Sequence, residues 1–156
     1  VEVLTPDFCG DTEAVARVLD AGPHVFNHNM ETIAGLYRKV RPQADYRQSL
    51  EVLAFARRHA PGVLTKSGLM AGLGETEEEV CRLLDDLRAA GVDVVTIGQY
   101  LQPSRRNMAV AEYVPPERYE RWIEYGERIG FKKVFAGPFV RSSYMADLVN
   151  HQAQAL

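Results

Sequence analysis

The chain has 156 residues, of which 46% are apolar and 25% are charged, and its formal net charge is −3. This length can bury one ordinary core, while the slightly acidic balance argues against a broad basic face for nucleic acid, and no apolar run approaches the roughly 18 residues of a membrane span. Cys9 and Cys81 are too few and too far apart for a disulfide framework or a zinc site, and nothing at the start is typical of a signal peptide, so we expect a cytoplasmic protein.

Short apolar runs alternate with amphipathic stretches along the chain, which predicts an alternation of strands and helices. The predicted strands are residues 1–4, 24–26, 63–70, 93–101 and 132–137. The predicted helices are residues 11–21, 31–40, 46–60, 76–90 and 115–130. Thr76 is predicted to cap the fourth helix, with Glu79 three residues later completing a capping box.

This order of elements indicates an α/β fold with a parallel sheet and helices packed on it. We expect residues 1–156 to form a single domain, because no stretch is typical of an interdomain linker. A closed eightfold barrel needs about 250 residues, so these five β/α units fall well short of one.

Four polar clusters follow the predicted strands, namely "PDFCG", "NHNME", "KSGLMAGLGE" and "GQYLQPSRRN". Because parallel strands end at the same edge of a sheet, the clusters should meet there and form a ligand site. Purely structural interpretations exist as well. Asn27 and Asn29 could be turn residues, His28 a buried structural histidine, and Lys66 a solvated charge at the end of a strand.

Three glycines, Gly68, Gly72 and Gly74, stand between an apolar run and an acidic helix start. Glycines before a helix usually indicate a phosphate site, because free backbone N–H groups and the helix dipole attract anions. Here Glu75 and residues 77–79 already place negative charge at that helix end, which predicts a ligand without a polyphosphate. The glycines could also merely ease a tight turn from strand to helix.

The residue types at this edge suit a flat, partly cationic small molecule. Asparagine side chains and Glu31 can bracket the hydroxyls of a ribose, and Lys66 offers a cation for a carboxylate. Glycines let a planar base lie directly against the backbone, and an acidic helix start tolerates a cationic ligand better than a phosphate. An adenosine that carries a cationic sulfur and an amino-acid end satisfies these conditions.

Residues 68–75, "GLMAGLGE", resemble the Gly-x-Ile-x-Gly-x-x-Glu pattern on the fifth strand of radical S-adenosylmethionine enzymes. More specifically, the chain from residue 2 to residue 147 resembles the C-terminal half of lipoyl synthases. The matching segments are "EVLTPDF", "VFNHNMET", "LYRKVRPQADYRQSL", "TKSGLMAGLGETEEEV", "TIGQYLQPSRR" and "GPFVRSSYMAD". Their combination in one order is highly specific.

The resemblance implies part of a TIM-like barrel of the radical S-adenosylmethionine type. It also implies the insertion of two sulfurs at C6 and C8 of an octanoyl group carried on a lipoyl carrier protein. One [4Fe–4S] cluster would cleave S-adenosylmethionine to a 5′-deoxyadenosyl radical, and an auxiliary [4Fe–4S] cluster would supply the sulfur. The family's cluster-binding cysteines lie N-terminal to the matching region. The radical would therefore be generated outside this chain, which holds no catalytic residue of its own.

The resemblance also implies roles for residues at the sheet edge. Asn27, Asn29 and Glu31 would lie near the ribose and methionine parts of the cofactor, and Lys66 and Ser67 near its carboxylate. The Gly68–Glu75 segment, in which Gly68, Gly72, Gly74 and Glu75 are the site candidates, would cradle the adenine and methionine moieties together with the backbone of Gln99, Tyr100 and Leu101.

In the "RSSY" motif, the resemblance implies that one serine oxygen binds the auxiliary cluster. We favour Ser143 over Ser142, with Arg141 in support. Cysteine is the usual ligand of such clusters, and a serine would suit a cluster that is dismantled for its sulfur. Without the resemblance, the serines would be interpreted as caps of a following helix. Cys9 and Met145 depart from the family's pattern, which indicates a divergent member.

The implied partners are an octanoylated carrier domain, the cluster-binding N-terminal region of the same enzyme and an electron donor. Arg105 and Arg106, with Arg38, Lys39 and Arg41, could contact an acidic carrier domain, and the first two could also be ordinary exposed charges. The missing cysteines predict a fragment that is inactive alone. Two alternatives stay open: a stand-alone module that binds a nucleoside sulfonium without radical chemistry, and a remnant with no function of its own.

Overall fold

The computed structural model describes residues 1–143, which form one parallel sheet with helices packed on it. The strands lie side by side in chain order, as β1 (Glu2–Leu4), β2 (Val25–Asn27), β3 (Leu64–Ala71), β4 (Val94–Gln99) and β5 (Lys133–Gly137). The helices are α1 (Thr12–Asp20), α2 (Tyr37–Val40), α3 (Tyr46–His59), α4 (Glu77–Ala89) and α5 (Pro116–Arg128), with 3₁₀ turns at Phe8–Gly10 and Ala34–Leu36. The predicted α/β fold is confirmed. No helix in the described part of the chain is long and apolar enough to cross a bilayer.

The prediction of one helix over residues 31–40 is wrong. Glu31 has a φ of 67° and forms a bridge to β3. Its N–H donates to the carbonyl oxygen of Gly68, and its own carbonyl oxygen accepts from the N–H of Met70. Because these bonds extend the strand pairing beyond β2, the helix is delayed and only Tyr37–Val40 is α-helical.

The predicted start of α4 is confirmed in detail. Thr76 Oγ1 accepts from the N–H of Glu79 at 3.2 Å, and the Glu79 carboxylate accepts from the N–H of Thr76 at 2.8 Å. The capping box fixes where the helix begins, and the apolar stripe of the helix starts at the next residue, Val80. The stripe consists of Val80, Leu83, Leu84 and Leu87, all of which are fully buried.

The two faces of the sheet have different partners. Leu69, Val95 and Ile97 belong to the main core, which also contains the buried side chains of α4 and α5. Since successive side chains of a strand point to opposite faces, the residues between them lie on the second face. Near the start of the strands this second face is apolar, because Val25, Leu64 and Val94 form a cluster there with Phe135 packed against them. Toward the C-terminal ends of the strands, the second face becomes polar and glycine-rich.

Candidate functional site

A cavity of about 380 Å³ opens at the C-terminal edge of the sheet. It is lined by Leu4, Asn29, Glu31, Gly68, Leu69, Met70, Thr96, Gly98, Gln99, Leu101, Val140, Arg141 and Ser142. The ends of four strands and the segment after β5 therefore meet in one place, as parallel topology requires. The structure thus brings together part of the set of residues singled out in the sequence and places the rest around it.

Glu31 supplies the carboxylate of the cavity. Its left-handed backbone is uncommon for a residue with a Cβ, and the two backbone bonds to β3 hold it there. Burial raises the pKa of Glu31 above its ordinary 4.5, while a hydrogen bond from Asn29 and the charge of Arg41 oppose that rise. Asn29 also has a buried Oδ1 with no hydrogen-bond partner among the described residues. A buried acceptor of this kind suits a hydroxyl or amino group of a ligand.

Arg41 braces the segment that carries these two side chains. Its Nη1 donates to the carbonyl oxygen of Asn29 at 3.1 Å and to the hydroxyl of Tyr37 at 3.2 Å. The guanidinium carbon also lies 5.5 Å from the centre of the Tyr37 ring. The cation is therefore engaged within the chain, whereas Arg38 and Lys39 are exposed.

Lys66, Ser67 and Asn27 lie outside the cavity lining. Lys66 is fully buried, and its Nζ donates to both carboxylate oxygens of Glu2 at 3.0 Å, so the interpretation as a solvated charge is wrong. Asn27 donates from Nδ2 to the same carboxylate at 2.9 Å. Ser67 instead accepts from the N–H of Met30 at 3.3 Å. A place for Lys66 and Ser67 near a cofactor carboxylate stays a prediction.

Gly68 and Gly74 are glycines for different structural reasons. A Cβ at Gly68 would lie 2.7 Å from Thr96 Oγ1 and 2.8 Å from Asn29 Oδ1, so this glycine makes room for polar side chains in the cavity wall. Gly74 has a φ of 109°, which few other residues adopt. It lies outside the cavity lining and allows the turn from β3 to α4.

Gly72 is required by the chain's own packing. A Cβ there would overlap Gln99 Nε2 and the carbonyl oxygen of Glu112. The carbonyl oxygen of Gly72 in turn accepts from the N–H groups of Ala111 and Glu112. The space beside Gly72, where a side chain would otherwise lie, is thus occupied by Gln99 and by the long loop between β4 and α5.

Gln99 holds that loop in place with all of its amide atoms. Its Nε2 donates to the carbonyl oxygens of Tyr100 and Glu112, both at 3.0 Å. Its Oε1 accepts from the N–H of Val114 at 2.9 Å and from the hydroxyl of Tyr119 at 3.3 Å. The wall of the cavity at this strand end is consequently a fixed, hydrogen-bonded surface.

Glu75 closes the turn between β3 and α4. Its carboxylate accepts from the N–H of Gly72 and, at 2.9 Å, from the N–H of Leu73. Together with the capping box at Thr76 and Glu79, carboxylates of the chain itself thus accept from three backbone donors of this turn, those of Gly72, Leu73 and Thr76. Glu75 is buried and does not line the cavity.

The segment after β5 brings part of the "RSSY" motif to the cavity. Arg141 and Ser142 line the cavity, and Ser143 is exposed. Tyr144 and Met145 lie outside the described residues. Cluster ligation by Ser143 stays a prediction.

The remaining candidate side chains fit structural roles. His28 is buried, its Nδ1 lies 3.0 Å from the carbonyl oxygen of Thr5, and burial lowers the pKa of the ring. Cys9 is exposed in a left-handed turn, and burial raises the pKa of the Cys81 thiol on α4. Within residues 1–143, no group of three or more His, Cys, Asp or Glu residues could hold a metal ion.

Several lining residues escape the motif-based interpretation. Leu4, Thr96, Gly98 and Val140 all line the cavity. The alternation of side chains along β3 and β4 could have indicated Thr96 and Gly98, because they share a face with Gly68. Val140 could not have been found in this way, since its position depends on how the chain returns after β5.

Comparison with known proteins agrees with this architecture. A family model described as the Radical SAM superfamily matches residues 1–87. A lipoyl synthase of Thermus thermophilus is 57% identical over 150 residues, which cover 96% of this chain and 46% of that protein. A lipoyl synthase of Caldanaerobacter subterraneus is 55% identical over 148 residues, which cover 95% of this chain and 52% of that protein. The chain thus spans about half the length of the curated relatives it matches.

Among solved structures, methylornithine synthase superposes with a TM-score of 0.66 at 18% identity, covering 86% of this chain and 39% of that one. At this identity the likeness concerns the fold alone, and it supports a partial TIM-like barrel. The resemblance to lipoyl synthases is confirmed by the two sequence relatives. On these grounds, the chain belongs to the Radical SAM superfamily.

Proposed function

We propose that this chain forms the cofactor-binding part of a lipoyl synthase, which inserts two sulfurs at C6 and C8 of an octanoyl group on a lipoyl carrier protein. The similarity to lipoyl synthases extends over nearly the whole chain and supports this function. One structural observation carries this proposal. Asn29 and Glu31 line the same cavity, where Asn29 Oδ1 is a buried acceptor without a hydrogen-bond partner among the described residues and Glu31 supplies a carboxylate. Location in the cytoplasm stays a prediction.

The cavity fits the chemistry of S-adenosylmethionine. Ribose hydroxyls and amino groups are donors, and the cavity offers them the unpartnered Asn29 Oδ1 and the Glu31 carboxylate, which besides its bond from Asn29 has room to accept more. The negative charge of Glu31 also suits a ligand that carries a sulfonium. Met70 and Leu101 add apolar surface on which a planar base could lie. When bound and reduced, the cofactor supplies the hydrogen-abstracting chemistry, and the residues of this chain bind and orient it.

Iron–sulfur clusters fit this chain less completely. The part of the chain that the structure describes holds no group of three or more His, Cys, Asp or Glu residues that could bind a metal ion, and Ser142 and Ser143 offer oxygen ligands only. We therefore assign to this chain at most the serine ligand of an auxiliary cluster, which depends on cysteines elsewhere in the protein. Residues 1–156 alone are expected to bind the cofactor without turning it over.

The function can be tested in the natural full-length protein, purified without oxygen, supplied with iron and sulfide to build its clusters, and given dithionite as the electron donor. We expect it to consume S-adenosylmethionine and to convert an octanoylated carrier domain to the lipoylated form, which mass spectrometry of the carrier detects. Binding of S-adenosylhomocysteine without any sulfur insertion would contradict a lipoyl synthase and favour a binding module. If the protein neither bound S-adenosylhomocysteine nor inserted sulfur, a remnant without a function of its own would be favoured.

Docking of the carrier gives a separate prediction. Arg105 and Arg106 are exposed on the loop that follows Leu101, and Leu101 itself lines the cavity. We expect the double reversal Arg105→Glu with Arg106→Glu to weaken carrier binding by about tenfold or more at low salt, because like charges would then face an acidic carrier. Binding is measured by calorimetry with a catalytically inert carrier domain.

A matched control is the double reversal of Arg58 and Arg128 to Glu. Both are exposed near the C-terminal ends of α3 and α5, at the opposite edge of the sheet. This control changes the net charge equally and should leave carrier binding nearly unchanged. If the two double variants weakened binding to the same extent, net charge rather than a docking surface would be responsible.

A further inference from the structure

The chain returns over the sheet after β5 in a closed turn. The N–H of Val140 donates to the carbonyl oxygen of Gly137 at 3.1 Å. Nη1 of Arg141 donates back to the carbonyl oxygen of Val140 at 2.8 Å. Val140 is buried, and it forms one wall of the cavity with Arg141 and Ser142. We call residues 138–142 the return segment.

The return segment rests on Gly98 of β4. A Cβ at Gly98 would overlap the carbonyl oxygen of Val140, and it would lie 3.2 Å from the Val140 carbonyl carbon and 3.4 Å from Arg141 Nη1. The first two contacts are backbone atoms, which cannot rotate away as the end of a side chain can. The contact therefore leaves no room for any residue other than glycine unless the segment moves.

The backbone conformation of Gly98 does not explain the glycine. Unlike Gly72 and Gly74, it does not have a positive φ. A residue within a strand would normally carry a side chain, because glycine weakens a strand, and a glycine there often marks the close approach of another backbone. Gly137, its partner in the β4–β5 register, lies below the same turn, and a Cβ there would lie 3.6 Å from Val140 Cγ2.

We propose that Gly98 is a positioning residue, which seats the return segment and thereby sets the place of Arg141 and the adjoining serine pair at the cavity. The segment reaches the cavity from β5 through one short turn, so a shift of the Val140 carbonyl moves the serines with it. What the serines bind rests on the proposed function, whereas the seating itself does not.

The test compares Gly98→Ala with the matched control Gly68→Ala in the natural full-length protein. At Gly68 the added methyl meets the ends of the Thr96 and Asn29 side chains, so it perturbs the cavity wall without touching the return segment. In the cluster-free protein, we expect Gly98→Ala to speed hydrogen exchange of the Val140 N–H by about tenfold or more, because its bond to Gly137 opens locally. Gly68→Ala should leave this exchange unchanged and instead weaken binding of S-adenosylhomocysteine.

Equal exchange in Gly98→Ala and the unchanged protein would overturn the seating, and so would an equal acceleration in Gly68→Ala. If Gly98→Ala fails to fold, Arg141→Met is measured instead. That variant removes the bond from Arg141 to the Val140 carbonyl and should also accelerate exchange at Val140.

A second readout concerns the serine pair itself. In the reconstituted protein reduced with dithionite, the electron paramagnetic resonance signal of the iron–sulfur clusters should change in Gly98→Ala and not in Gly68→Ala. An unchanged signal in Gly98→Ala would overturn the positioning of the serines even if exchange were faster. Failure of the unsubstituted protein to bind S-adenosylhomocysteine would instead contradict the proposed function and leave the exchange comparison valid.

Discussion

Replacement of Lys66 by methionine is expected to lower the free energy of unfolding by about 3–5 kcal/mol. The ammonium group is fully buried and bonds both carboxylate oxygens of Glu2, whose side chain is only 13% exposed. Without Lys66, the Glu2 carboxylate keeps, among residues 1–143, only the Nδ2 donor of Asn27 and becomes a largely buried charge without a counter-ion there. Urea denaturation of the full-length protein, followed by circular dichroism, measures the loss.

Lys39→Met is the control for that experiment. Lys39 is exposed on α2, so the same chemical change should alter the unfolding free energy by no more than about 0.5 kcal/mol. The double variant Glu2→Met with Lys66→Met should recover much of the stability, because no unpaired charge then remains. If Lys66→Met cost no more than Lys39→Met, the buried ion pair would not stabilise the sheet as we infer.

Replacement of Glu31 by glutamine is expected to weaken the binding of S-adenosylhomocysteine by about tenfold or more, since hydrogen bonds to a charged group are worth about 1.5–3 kcal/mol. Glutamine preserves the size of the side chain and removes its charge. Glu78→Gln, on the exposed face of α4, removes the same charge outside the cavity and should leave the affinity unchanged. Titration calorimetry measures both affinities.

The pH dependence of binding tests the same carboxylate. Burial raises the pKa of Glu31, so its charge is lost at a higher pH than that of an exposed glutamate. Affinity should fall as the pH is lowered through this raised pKa, and the glutamine variant should lack that fall. For stability the sign is opposite: Glu31 favours the folded state most below pH 4.5 and less as the pH rises through its folded pKa. An identical pH profile in Glu31→Gln would show that another group controls binding.

The strands, the acidic cap of α4 and the edge that holds the cavity could be predicted because they depend on local patterns. β4 is an apolar, β-branched run, and Thr76 with Glu79 has a spacing that is typical of a helix start. The interruption of the helix at Glu31 could not be predicted, since it depends on backbone bonds to β3, which is distant in sequence. The burial of Lys66 depends in the same way on Glu2, 64 residues away.

The atoms that pack against a glycine could not be predicted from the sequence, as Gly72 and Gly98 show. "GLMAGLG" attracts attention to Gly72 as a surface for a ligand, but its space is filled by Gln99 and Glu112. Gly98 belongs to the polar cluster "GQYLQPSRRN", but nothing in that pattern separates this single glycine from its neighbours. What approaches a glycine is decided by tertiary packing, and no spacing in the sequence encodes it.

The closed turn between β3 and α4 has a consequence for competition among ligands in a cell. Adenine nucleotides share the nucleoside part of S-adenosylmethionine and differ by their phosphates. A helix start with free backbone donors would bind those phosphates, but here Glu75 and Glu79 already occupy the N–H groups of Gly72, Leu73 and Thr76. If S-adenosylmethionine binds in the cavity as we propose, a polyphosphate chain that reached this turn would meet carboxylates instead of those free donors, so we expect the turn to disfavour ATP.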